Sequence, residues 1–203
     1  MKNPKMKHIV KIIKIFAAAL LLATVSVSCG NTAEDPNAAY FAKLENDVLD
    51  EINFARTQPA QYVKTRLEPY AGENPSTAMT ECINEMTVMK SLNPLKLNKR
   101  LTLAAKEWVR LQGPSEYIGH DMNLKVRLEK YCYFGYYGEN ISYGYNDARK
   151  IVIQLLEDDN VPNRGHRKNI LSRAFTHVGI GCGTHKRYNY MCVQDFAERY
   201  KDK

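Results

Sequence analysis

His177–Ala197 reads HVGIGCGTHKRYNYMCVQDFA, two runs of β-prone residues in alternation around a polar connection, with one cysteine in each run. That pattern predicts an antiparallel hairpin. The hairpin decides the class of fold, because most of the chain before it carries the period of a helix.

Through YFAKLENDVLDEINFAR (40–56) the residues Phe41, Leu44, Val48, Ile52 and Ala55 recur at helical spacing, and Pro59 follows the end of the pattern. PAQYVKTRL (59–67) reads as a second, shorter helix. STAMTECINEMTVMKSL (76–92) reads as a third, with Met79, Cys82, Met86 and Met89 in register as core filler. LNKRLTLAAKEWVRLQGP (97–114) is a fourth, turning Leu101, Ala104, Trp108 and Leu111 inward and stopping at Gly113 and Pro114. NLKVRLEKY (123–131) has two helical turns, and YCYFGYYGENISYGY (131–145) then becomes aromatic, glycine-punctuated and strand-like. NDARKIVIQLLED (146–158) is helical again, with Asn146 as a candidate cap. Helices first, then a mixture closing on a hairpin, predict an α+β domain with helices on both faces of a small sheet.

The first 28 residues have a different character. Lys2, Lys5, Lys7, Lys11 and Lys14 lead into an apolar run from Ile15 to Val27, the length of a signal-peptide core and too short to span a bilayer. Small residues in SVSCG then lead to Cys29, which predicts a lipidated cysteine and a mature protein held on a membrane by its acyl chains. Residues 29–39 are small and polar, a tether, and the domain proper is expected over 40–203. The segment 1–28 holds five of the 29 basic residues and none of the 22 acidic ones, so the remainder carries 24 against 22. No nucleic-acid partner is implied, and the domain is expected to be a monomer. Four cysteines remain after Cys29, and an even number in an exported chain favours disulfides over zinc, since neither CxxC nor HExxH occurs. The hairpin pairs Cys182 with Cys192, and elimination leaves Cys82 with Cys132.

Apart from His8 in the first segment, the histidines are His120 in YIGHDM, His166 in NRGHRKNIL, His177 and His185. His177 and His185 belong to the hairpin, where solvated or capping roles are expected. His120 and His166 each follow a glycine and begin a segment, and Glu139 in GENIS stands between them. Taken in order, GHDM, GENIS, RGHRKNIL and HVGIGC…YMCVQDF resemble the signature of the CAP (SCP) superfamily of cysteine-rich secretory, antigen 5 and pathogenesis-related proteins. The resemblance runs from Val48 to Phe196 and includes INFAR and LNPLKLNKRLTLAAKEW. It implies a three-layer α-β-α sandwich with a small, mainly antiparallel central sheet and a cleft lined by two histidines and two acids. His120 matches the first histidine, Glu139 the glutamate of GEN and His166 the second histidine. The family's fourth member is a glutamate ending the helix before the second histidine; here that helix ends LLEDDNVP, so Glu157, Asp158 and Asp159 are candidates and Asp158 fits best.

Two imidazoles with a carboxylate can hold a divalent ion such as Zn²⁺, with water completing its shell. A carboxylate beside an imidazole alternatively makes a general base. Two functions follow: a cleft that binds a small ligand, a lipid or similar, or a divalent metal at His120 and His166; or a hydrolase using metal-activated water or Ser142. No nucleophile elbow is present, and Ser142 is on the opposite strand face from Glu139 by parity. Binding is therefore the favoured reading. The flanking Arg164, Arg167 and Lys168 are expected to form a solvated rim.

Overall fold

The computed structural model describes residues 37–198 and the strand at 201–202. The export segment, Cys29 and most of the tether lie outside the described residues. Strands are β1 (Lys96–Leu97), β2 (Cys132–Tyr133), β3 (Tyr137–Tyr143), β4 (His177–His185), β5 (Asn189–Ala197) and β6 (Lys201–Asp202). The main sheet has the order β1-β4-β5-β3, and β2 pairs with β6 separately. Only the β1–β4 pairing is parallel, so the expected small, mainly antiparallel sheet is what forms.

The β4–β5 hairpin places Cys182 opposite Cys192, and the two are disulfide-bonded. Its turn returns through Asn189 at φ 66, a left-handed conformation that asparagine tolerates. Of the solvated and capping roles expected of it, His185 takes the capping one, and it is buried. Its Nδ1 accepts hydrogen bonds from the amides of Arg187 and Tyr188, and its Nε2 donates to the Tyr117 carbonyl. His177 is half-buried, with Nδ1 2.9 Å from the Thr176 hydroxyl.

Strand parity then sorts the interior. On one face Val178, Ile180, Cys182, Cys192 and Phe196 join a core with α1 (Ala38–Thr57). The predicted second helix is longer than expected. α2 (Pro59–Tyr62) continues through a π turn at Val63–Leu67 into α3 (Glu68–Glu73). Pro69 has no N–H for an interior helical bond, but it falls in the first turn of α3, where none is needed. α4 (Thr77–Val88) is capped by the Ser76 hydroxyl and buries Met79, Cys82 and Met86; Met89 is already extended and ends it earlier than the apolar spacing suggested.

On the other face lies α5 (Lys99–Gln112), which follows its Asn98 cap. It lies against Gly179, Gly181 and Gly183 of β4. A β-carbon at Gly179 would sit 2.0 Å from the Leu101 carbonyl carbon, so the absence of a side chain there lets the helix backbone meet the sheet. Trp108 packs, half-buried, against a core cluster of Ala105, Ile141, Met191 and Val193 as its inward reading expects, whereas Leu111 is exposed, contrary to that reading. α6 (Leu124–Glu129) follows, then α7 (Ala148–Glu157), whose cap is Asp147 and not Asn146: the Asp147 carboxylate accepts from the Lys150 amide. α7 packs on α1 to complete the first layer, and α8 (Gly165–Ile170) lies beside β3.

The expected Cys82–Cys132 bridge does not form. Cys82 belongs to the α1–α4–α7 core, and Cys132 to a second cluster with Leu101, Leu128 and Ala197 on the α5 side. Elimination cannot see that the sheet separates them. Burial pushes the Cys82 thiol up to about 12.

Candidate functional site

The site is built on β3, an edge strand of the sheet. Glu139 lies on its α5-facing side, opposite Asp195 of β5. His120 comes from the loop between α5 and α6. Gly119 before it takes φ 131, a value side-chain-bearing residues rarely adopt. A small network fixes this loop: the Gly119 amide donates to the Tyr143 hydroxyl at 3.0 Å, Tyr143 donates to Gln112 Oε1 at 2.8 Å, and Gln112 Nε2 donates to the Gly119 carbonyl at 2.8 Å. So held, His120 Nδ1 lies 2.7 Å from Glu139 Oε1.

The second half comes from the junction of α7 and α8. Asp158 ends α7 at φ 52, and one carboxylate oxygen accepts from the His166 amide at 2.8 Å while the other lies 2.6 Å from His166 Nδ1. Of the three candidate acids, only Asp158 meets the histidine. Glu157 accepts from the Ser76 hydroxyl, and Asp159 from the Asn160 amide. The rings of His120 and His166 have centroids 6.0 Å apart at 36°.

Each imidazole therefore meets a carboxylate through Nδ1, which fixes the proton there and leaves Nε2 as the acceptor edge. Among the described residues no hydrogen bond reaches either Nε2. The side chains are 51% and 22% exposed for His120 and His166, whereas Glu139 and Asp158 are buried. A cavity of about 350 Å³ opens beside His166, lined by Tyr70, Ile141, Tyr143, Gln154 and Asp158 among others. No cluster of three metal-ligating side chains occurs among the described residues. An ion here would take the two Nε2 atoms and solvent, with the carboxylates orienting the rings rather than coordinating.

Beneath Glu139 is a charged group that sequence reasoning missed. The Arg127 guanidinium, 2% exposed, bonds Glu139 Oε2, Asp195 Oδ2 at 3.0 Å, Asp121 Oδ2 at 3.2 Å and the Ala104 carbonyl. Burial pushes the Asp195 carboxyl well above its ordinary value; Arg127 opposes the shift and the Glu139 charge adds to it. The buried Asp195 carboxylate is therefore costly to ionise, and Arg127 is the group that offsets that cost. The available signal was a lone carboxylate inside the buried run MCVQDFA, and a lone arginine beside Leu128 on a short helix.

Other expectations shift. Arg167 is not on a solvated rim: it is 3% exposed and bonds the carbonyls of Leu156, Ala78 and Glu157. Arg164 ties Glu81 to the Asp158 carbonyl, and Lys168 is exposed. Ser142 is buried on the α7 side, donating to Gln154 Oε1 at 2.6 Å, away from Glu139.

The fold and site thus define a three-layer α-β-α domain whose sheet edge presents two carboxylate-held imidazoles. The model of the cysteine-rich secretory protein (CAP) family matches residues 49–196, and the chain belongs to that family. Its relatives include YkwD of Bacillus subtilis, 26% identical over 147 residues; the match covers 68% of this chain and 55% of YkwD, so the chain spans about half the length of that relative. Among solved structures, an extracellular SCP-domain protein of Bacillus anthracis is similar at 25% identity over 53% of this chain and 35% of its own, with a TM-score of 0.44. Venom allergen-like protein 4 of Schistosoma mansoni is 18% identical over 79% of this chain and 96% of its own, with a TM-score of 0.48.

Proposed function

We propose that this is an exported, membrane-tethered CAP-domain protein whose cleft binds a divalent cation, Zn²⁺ first, through Nε2 of His120 and Nε2 of His166. The observation that supports the reading is the matched geometry of the two rings: each has Nδ1 on a buried carboxylate, and their centroids lie 6.0 Å apart. Carboxylate-held imidazoles of this kind are the usual metal-ligating form. Two protein ligands leave open positions for water or a small ligand's oxygen, so binding is weak and exchangeable compared with a structural zinc site. A metal-dependent hydrolase is the second reading, since an ion with open positions can activate water. The serine variant has no support in the position of Ser142.

The test is titration of the chelator-treated full chain with Zn²⁺. One equivalent should bind. His120→Ala and His166→Ala should each abolish that uptake, and Asp158→Asn should weaken it roughly 10- to 100-fold through ring orientation. No uptake by the unaltered chain would overturn the metal reading.

The tether rests on the lysine-led apolar run and Cys29. Cys29→Ser should move the protein from the membrane fraction to the soluble one. An unchanged membrane share would count against lipidation there.

A further inference from the structure

At the opposite edge of the sheet from the histidines, where β1 pairs with the start of β4, lies a second cavity of about 560 Å³. Its lining includes Arg56, Lys96 and Arg173 and no aspartate or glutamate. Arg56 is 1% exposed, and the partners of its guanidinium are main-chain carbonyls. Nε donates to Asn93 at 3.0 Å, Nη1 to Ile170 and Ser172 at 2.6 and 2.9 Å, and Nη2 only to Phe175 at 3.4 Å. A guanidinium has five N–H donors in a fixed fork. Four contacts, one at the limit of bonding length, leave donor capacity on Nη2.

Carbonyl dipoles satisfy geometry but carry no net charge. Among the described residues no carboxylate forms an ion pair with Arg56, Lys96 or Arg173. This differs from Arg127, which has three acids around it. Lys96 and Arg173 are exposed side chains in the lining. Burial lowers the pKa of Arg56 to about 10, and burial together with Lys96 lowers that of His177.

We propose that this cavity is an anion site that takes a phosphate group, free or esterified, between Arg56, Lys96 and Arg173. A buried guanidinium edge gives direction, and two exposed cations complete the charge. The site is separate from the histidine cleft and does not depend on what that cleft binds.

Thermal unfolding of the full chain in inorganic phosphate, against chloride at matched ionic strength, tests it. At about ten times the half-saturating concentration the midpoint should rise by about 3–6 °C. The double variant Lys96→Ala, Arg173→Ala, which alters only exposed side chains, should match the parent in chloride and lose most of the rise in phosphate. An equal rise in parent and variant would be the general stabilisation by excluded salts and would overturn the site. Hexyl phosphate separates the sources: a half-saturating concentration at least about tenfold lower than that of phosphate indicates a lipid-like ester, and equal values indicate free phosphate. No rise with either compound also overturns the proposal.

Discussion

Arg127→Met should lower the stability of the domain by about 3–5 kcal/mol, read as a fall in the urea midpoint at neutral pH. The size follows from what the substitution leaves behind. Glu139 and Asp195 are essentially unexposed, and without the guanidinium the Glu139 charge has no buried counterpart. Asp195→Asn is the contrasting variant. Its amide keeps the shape of a carboxyl whose charged form burial already disfavours, so a smaller loss than that of Arg127→Met is expected at neutral pH. The Asp195 pKa is raised in the fold, so its contribution is complete below the ordinary aspartate value and is lost as pH rises through the folded value. Asp195→Asn removes that slope. Between about pH 5 and about pH 8 its stability should fall less than the parent's. A loss from Asp195→Asn as large as that from Arg127→Met would mean that the Asp195 charge is what the guanidinium chiefly answers.

Gly179→Val should be at least as damaging as a large cavity mutation, with a loss of about 3 kcal/mol or more. The atoms it would meet, Leu101 C and Thr102 N at 2.0 and 2.2 Å from the new β-carbon, are helix backbone and cannot rotate away. α5 would have to move off the sheet, and the Ala104 carbonyl that Arg127 uses would go with it. Gly72→Ala is the control. Gly72 lies in α3 with nothing within 4 Å of an added β-carbon, and that change should be neutral or stabilising by up to about 1 kcal/mol. Equal effects from both would show that glycine content, not close approach, is what matters.

These two variants mark where the sequence could be read and where it could not. Local periodicity carried the hairpin and the long helices, because an amphipathic face repeats along the chain that forms it. The family motifs carried His120, Glu139 and His166 to one place. Asp158 was the best fit of three adjacent acids, and the left-handed turn at the end of α7 is what aims it, and not its neighbours, at the histidine. Arg127 and Asp195 are 68 residues apart, and nothing periodic links them. The glycines of β4 were in plain view, but their meaning depends on which helix lies across them. The Cys82–Cys132 pairing failed for the same reason, since counting cysteines says nothing about which side of the sheet each one reaches.

Position 158 meets two demands at once. Its backbone must accept a positive φ, and its side chain must be short enough to reach both the amide and the ring of a residue eight places on. Aspartate and asparagine are the side chains suited to both, and of these only aspartate brings charge. In this backbone, substitution that preserves the helix junction is therefore confined to a pair of residues that differ in charge. A single change, Asp158→Asn, would remove the charge from that half of the cleft and keep its architecture, whereas a longer glutamate would have to reach the ring from a different turn.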